Sequence, residues 1–313
     1  MNNINDPKVH YLLHMLHEKY EEDGQDLVTH LEGFLYSNYV TYWDYIHLDT
    51  LLSIQIPRTH IQDEHIFITY HQITELYFKL IIAELEQLIE EGLVDDEFII
   101  TKLKRVNCYF EQLVNSFEVM LKGLDRNQFL KFRLALLPSS GFQSFQFREI
   151  EILSTEFKNL VEEPFKNHDE AAEESVEVIY EKLYWRKGGV EPNSDKKVLG
   201  LVQFEEKYKH LIIEKAAKYH KKNIAYLWKN RPNKVLNEEL IGEMRKFDAN
   251  ANLKWPLVHY RSAAKHLSKN SETVTSTGGT NWKKYLSPKI RRLMYFPDLW
   301  NPEEKENWGE NTF

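Results

Sequence analysis

Apolar residues recur every third or fourth position over most of the chain, the spacing of one face of an α-helix. Val9, Leu12, Leu13, Leu16 and Tyr20 make the first such stripe, opened by Asp6-Pro7 and closed by Asp23-Gly24. An aspartate can accept the free N–H groups of a first turn, and a proline there gives up no hydrogen bond. The same grammar lets Asp63 cap a helix that runs through Phe67, Tyr70, His71, Leu76 and Leu80 to Leu88, with a stop at Gly92. Asp95 starts another, with Leu103, Val106, Phe110 and Leu113 on one face. Asp125 starts a shorter one that must end near Leu137, because Pro138 follows. Val198 to Trp228 and Leu236 to His266 read as two further long helices. Strand-like alternation is nearly absent and no solenoid repeat occurs, so the fold class is all-α, a helical bundle.

Two regions depart from this rhythm. Between Ile150 and Tyr184 the periodicity continues but is crowded with Glu162, Glu163, Asp169, Glu170, Glu173 and Glu174, which reads as solvated surface helix. Gly188-Gly189 and Pro192-Asn193-Ser194-Asp195 form the clearest linker. Residues from about 165 to 200 therefore read as a helical excursion from a single domain spanning 1–313. Ser271 to Thr280 is a run of Ser, Thr and Gly and reads as a loop.

Composition narrows the function. With 42% of 313 residues apolar, the chain can fill a large interior, and 12 glycines with 10 prolines are too few for a fibrous or low-complexity protein. A formal charge of −8 leaves no excess of Lys and Arg for phosphate contacts, so a small molecule or another protein is expected in place of nucleic acid. No run reaches the ~20 apolar residues of a membrane span. Cys108 stands alone, which excludes an internal disulfide and makes the cytoplasm the expected compartment. Met1 to Asp6 is polar, unlike the start of a signal peptide.

Three stretches carry candidate chemistry. In the first, Phe67, His71 and Glu75 stack at successive turns of one helix; His71 either orients a ligand N–H or is a core histidine bonded to a backbone carbonyl. In the second, Arg133 follows Phe129 by one turn, placed to grip a carboxylate in a two-pronged bond or to stand exposed on a polar face. Ser139, Ser140 and Gly141 come next, and either let a ligand approach the backbone or cap a helix. In the third, His259 is followed one turn later by Ser262 and Ala263, small enough for a flat macrocycle to lie against the helix. That suits an axial haem ligand, and His266 on the same stripe competes for the role. His10, His14 and His17 share a face without a cysteine nearby and read as surface. No glutamate stands three positions before any histidine, which takes most of the weight from the di-iron bundles.

In this order, from about Tyr42 to Trp300, the stretches resemble the tryptophan 2,3-dioxygenase family. Tyr42-Trp43-Asp44-Tyr45-Ile46-His47-Leu48-Asp49 is similar to the family's Tyr-x-x-Tyr-Leu-x-Leu-Asp segment. Phe67 to His71 with Gln72 matches its Phe-x-x-x-His-Gln core, and Pro138 to Ser144 is close to its Pro-x-Ser-Gly-Phe-Gln-Ser signature. The resemblance implies a helical haem protein of the tryptophan and indoleamine dioxygenase type. It implies haem b with ferrous iron, dioxygen as co-substrate and L-tryptophan or a close analogue as substrate, with N-formylkynurenine as product.

Residue by residue, the resemblance makes His259 the proximal iron ligand and His71 the distal histidine at the indole N–H. Phe67 and Phe129 flank the indole, Arg133 holds the substrate carboxylate, and Thr277 ahead of Gly278-Gly279 contacts its ammonium group. Ser140 and Gly141 line the pocket. Tyr42, Tyr45 and Ile46 reach a neighbouring subunit's site, which implies a homotetramer. Pro256, three residues before His259, is expected to kink or start the helix that presents the ligand. Two rivals share the scaffold: a histidine-ligated haem monooxygenase acting on a substituted indole or phenol, and a haem-binding sensor without catalysis.

Overall fold

The computed structural model describes residues 4–92, 95–136, 143–162, 174–190, 196–231, 237–269, 272–273 and 286–310. Their regular structure is helical, apart from a two-residue antiparallel pair of strands, Ser268–Lys269 with Glu272–Thr273, and two isolated bridges. Among the described residues no helix is long and apolar enough to cross a membrane. The chain divides into two compact units, Met1–Ile54 and Gln55–Phe313.

The first unit holds α1 (Pro7–Glu22), α2 (Leu27–Tyr36), the single turn α3 (Tyr42–Tyr45) and α4 (Leu48–Ser53). Asp6 caps α1 as its sequence predicts, accepting from Lys8 N at 2.9 Å. None of these helices buries a residue within its own unit. Phe34, Leu35, Tyr36 and Tyr39 are among the apolar side chains left open to solvent.

The second unit is built on α5 (Asp63–Glu91), which packs on α6 (Asp96–Ser116) and α9 (Phe145–Ser154). Asp63 is the first residue of α5, behind Gln62, and not its cap, so that helix starts without a side-chain cap. Ile81, Leu85 and Leu88 of α5 join Leu103, Val106 and Phe110 of α6 in its fully buried core. Each such side chain contributes roughly 1.5–3 kcal/mol by leaving water. Gly92 ends α5 in a left-handed conformation, φ 75°, a backbone region in which a side chain would be strained. Asp95 and Asp125 cap α6 and α8 (Arg126–Phe132), with α7 (Glu118–Gly123) between them. After α8 the chain tightens into a 3-10 turn, Arg133–Leu136.

The long pattern from Val198 to Trp228 is two helices, α10 (Leu199–Tyr219) and a short one, Ile224–Asn230. Lys221 sits at φ 57° between them, and Asn223 caps the restart with its side chain on Tyr226 N at 3.0 Å. The acidic stretch differs from the solvated surface helix its composition suggests. Its helix Val176–Glu181 and the turn Tyr184–Lys187 drive Tyr180, Leu183, Tyr184 and Trp185 into the core. Acidic residues 163–173 lie outside the described residues.

The last long pattern is unbroken but not uniform. A π-helical turn, Asn250–Lys254, joins α11 (Glu238–Ala249) to α12 (Trp255–Leu267), with Trp255 N–H bonded to Asn250 O. Pro256 therefore stands in the first turn of α12, where its missing N–H is absorbed by the wider turn before it. Asp248, fully buried beside this turn, accepts from Tyr295 N at 2.8 Å, Phe296 N at 3.0 Å, Trp300 Nε1 at 3.0 Å and Asn252 Nδ2 at 2.8 Å. It ties residues 295–300 to the end of α11, one π turn ahead of the helix that carries His259.

Candidate active site

Three elements converge where the sequence places its candidates. From α5, Phe67 and His71 stack one turn apart, ring centroids 4.1 Å. From α8, Phe129 lies 6.1 Å from Phe67, and Phe132 closes the group at 5.7 Å. From α12, His259 packs 4.3 Å from Trp255 and 4.5 Å from Phe117. Phe117 in turn meets Tyr70, the neighbour of His71, at 5.4 Å, so a continuous aromatic wall runs between the two histidines.

The two imidazoles are set in the same way. His71 Nδ1 lies 2.7 Å from Phe67 O, and His259 Nδ1 lies 3.1 Å from Trp255 O. A carbonyl only accepts, so Nδ1 carries the proton in each ring and Nε2 keeps its lone pair. Such a pairing fixes both the tautomer and the ring orientation, as it does for histidines that bind metals. The backbone-bonded histidine and the functional histidine, alternatives in sequence, are here one arrangement.

Burial keeps both rings neutral. It is the largest cause lowering the His71 pKa, partly offset by the Phe67 carbonyl and the Glu75 charge. It also pushes His259 down to about 4, with the Trp255 carbonyl opposing and the charges of His71 and Arg291 assisting. His71 nonetheless presents an exposed edge.

Arg133 is 8% exposed at the start of the 3-10 turn, one turn past Phe129, and not on a polar face. Burial lowers its pKa, but a guanidinium remains charged at any physiological pH, so the site holds a cation beside its aromatic slot. His266 is not available as a ligand. Its Nδ1 faces Ser262 O at 2.9 Å and its Nε2 faces Leu124 O at 3.4 Å, while its ring packs on Phe129 at 5.5 Å.

Ser139, Ser140, Gly141 and Thr277 lie outside the described residues. Tyr42, Tyr45 and Ile46 belong to the first unit, where Thr41 caps their turn; Tyr42 and Tyr45 are exposed and Ile46 is half-buried. His14 and His17 pair on the surface with Glu18 and Glu21, one turn on. Sequence reasoning missed Phe117 and the Trp255 carbonyl, although Trp255 stands at the telling i−4 position from His259. It also missed Gln146, whose Nε2 reaches across from α9 to Glu75 Oε2 at 2.8 Å and Glu75 O at 2.9 Å.

The residues of α12 fit a haem ligated from one side: His259 offers Nε2 from a ring already oriented by Trp255 O, and Ser262 and Ala263 keep the next turn small.

Residues 32–159 match the family described as Tryptophan 2,3-dioxygenase. The chain is similar to the Tryptophan 2,3-dioxygenase of Sorangium cellulosum, 42% identical over 125 residues, covering 36% of this chain and 30% of that protein. It is 40% identical over 119 residues to the enzyme of the same name from a Ruegeria species, covering 37% and 42%. A Bradyrhizobium relative of that name is 36% identical over 141 residues, covering 45% and 50%. The matches thus span between 30% and 50% of these relatives' length. Phe67, His71, Phe129 and Arg133 fall inside the segment that matches the family; His259 and Thr277 fall beyond it.

Proposed function

We propose, on the premise that residues 32–159 carry tryptophan 2,3-dioxygenase sequence, that this chain is a haem-dependent dioxygenase converting L-tryptophan to N-formylkynurenine. The observation that carries the reading is the matched pair of tautomers. His71 and His259 each spend Nδ1–H on the carbonyl of the residue four positions back and keep an Nε2 lone pair on a ring that desolvation holds neutral.

His259 would hold haem b through Nε2, and the haem so bound would supply the dioxygen chemistry, insertion of both oxygen atoms across the indole C2–C3 bond. The protein's share is binding and orientation. Phe67 and Phe129 flank the indole and exclude water, and His71 Nε2 accepts a hydrogen bond from the indole N–H. Deprotonation is not its task, because an indole N–H is far too weak an acid for a neutral imidazole to ionise efficiently. Arg133 holds the substrate carboxylate and Thr277 its ammonium group, which favours an amino acid over free indole. Ser140 and Gly141 line the same pocket.

The first unit supports an oligomer. It exposes Phe34, Leu35, Tyr36, Tyr42 and Tyr45 without burying any residue of its own helices, and apolar side chains left open in this way mark a surface for association. A homotetramer in which Tyr42, Tyr45 and Ile46 complete a neighbour's site accounts for that surface. The compartment is the cytoplasm. The test is direct: haem-loaded, reduced chain mixed with L-tryptophan in air should develop formylkynurenine absorbance, and labelled dioxygen should leave two labelled atoms in the product. One labelled atom would make the chain a monooxygenase, and no reaction with tryptophan bound would make it a sensor.

A further inference from the structure

Glu75 stands one turn beyond His71 on the same face of α5, the separation at which helical side chains interact. It is half-buried, and its carboxylate does not swing freely. Gln146, arriving from α9, donates to Glu75 Oε2 at 2.8 Å and to the Glu75 backbone oxygen at 2.9 Å, a fork that fixes side chain and main chain together. The opposite side of the His71 ring is fixed as well, by Nδ1–H on Phe67 O.

We propose that Glu75 is a positioning residue for His71, a negative charge clamped by Gln146 that sets the basicity of an imidazole aimed by Phe67 O. Among the surrounding elements α12 brings His259, α8 and its 3-10 extension bring Phe129 and Arg133, α9 brings the neutral Gln146, and α5 itself adds Tyr70 at 6.2 Å. Of the charges acting on His71, that of Glu75 favours the protonated ring and opposes desolvation. A ring made more basic at Nε2 accepts a stronger hydrogen bond from an indole N–H. Desolvated on its protein side and without that charge, the imidazole would be a poorer acceptor. The proposal also gives the second glutamine of the Phe-Gln-Ser-Phe-Gln stretch a purpose: it couples α9 to the distal histidine.

The catalytic consequence rests on the dioxygenase reading, and the experiment separates the two. In the haem-loaded full chain, the infrared C–O stretch of the ferrous carbonyl complex is followed against pH, a readout of His71 protonation that needs no turnover. Glu75→Gln should move its midpoint to lower pH, a roughly three- to tenfold loss of proton affinity. The acid limb of kcat/KM for tryptophan should move the same way, and Glu75→Asp should return both toward the parent. Gln146→Leu, which keeps the charge but frees it, should move the midpoint in the same direction by less. A midpoint unchanged in Glu75→Gln, with haem content and helicity intact, overturns the proposal. If that variant loses haem, a midpoint unchanged in Gln146→Leu does so. A midpoint that moves in a protein making no formylkynurenine supports the positioning role and sinks the dioxygenase reading alone.

Discussion

The Nδ1–H of His259 donates to the carbonyl oxygen of Trp255 at 3.1 Å, and that bond decides which nitrogen of the ring is left for a metal. His259→Ala should therefore lose bound haem, seen as a missing Soret band. His266→Ala should keep it, since both nitrogens of His266 already face carbonyl oxygens. The reverse pattern would transfer the ligand to His266.

Arg133→Leu removes the buried cation beside Phe129. Hydrogen bonds to a charged partner are worth about 1.5–3 kcal/mol, so kcat/KM for tryptophan should fall roughly ten- to a hundredfold. Turnover of an indole lacking the carboxylate should change little. Steady-state kinetics on the two substrates provides the check, and an equal loss on both would remove the clamp from the scheme.

The pH dependence has a definite sign. Burial lowers the His71 pKa, so the neutral ring that accepts the indole N–H persists as pH falls below the ordinary histidine value near 6.5. The kcat/KM profile should stay flat through that pH and decline only in more acid solution, while His71→Ala should lose that limb and turn over roughly tenfold more slowly. Complete loss of product with haem retained would mean that His71 does more than orient.

Asp248 gathers four donors in a site sealed from water. Asp248→Asn turns an amide N–H₂ toward N–H groups and removes the charge they were bonded to. Stability should fall by about 3 kcal/mol or more, read as a lower urea midpoint. A midpoint within error of the parent would show that Tyr295 and Phe296 hold their places without it.

The apolar surface of the first unit predicts assembly. Sedimentation of the haem-loaded chain should give four times the mass of one chain, and Leu35→Glu with Tyr36→Glu should produce smaller species. A monomer at every concentration would leave Tyr42 and Tyr45 without a neighbour to serve.

The helices were legible in sequence because their caps and stripes are local: Asp6, Asp95 and Asp125 cap where periodicity places them. The same locality brought Phe67, His71, Phe129 and Arg133 into view. What sequence concealed was decided by distant partners. The left-handed Lys221 interrupts a pattern that has no Gly or Pro at the break. Tyr180 and Trp185 are buried although acidic neighbours surround them, because α10 and its neighbours supply an apolar floor. Gln146 and Glu75 stand 71 positions apart, beyond the reach of any helical period.

The π turn at Asn250–Lys254 makes the chemistry of α12 sensitive to bookkeeping of a single residue. Excising one residue there would restore ordinary i to i−4 bonding and rotate everything downstream by about 100° relative to α11. Position 259 would then swing around the cylinder, and Pro256 would confront a carbonyl it cannot satisfy. Substitutions along these five residues leave the phase of the rod intact; deletions do not, so this stretch should tolerate changes of side chain far better than changes of length.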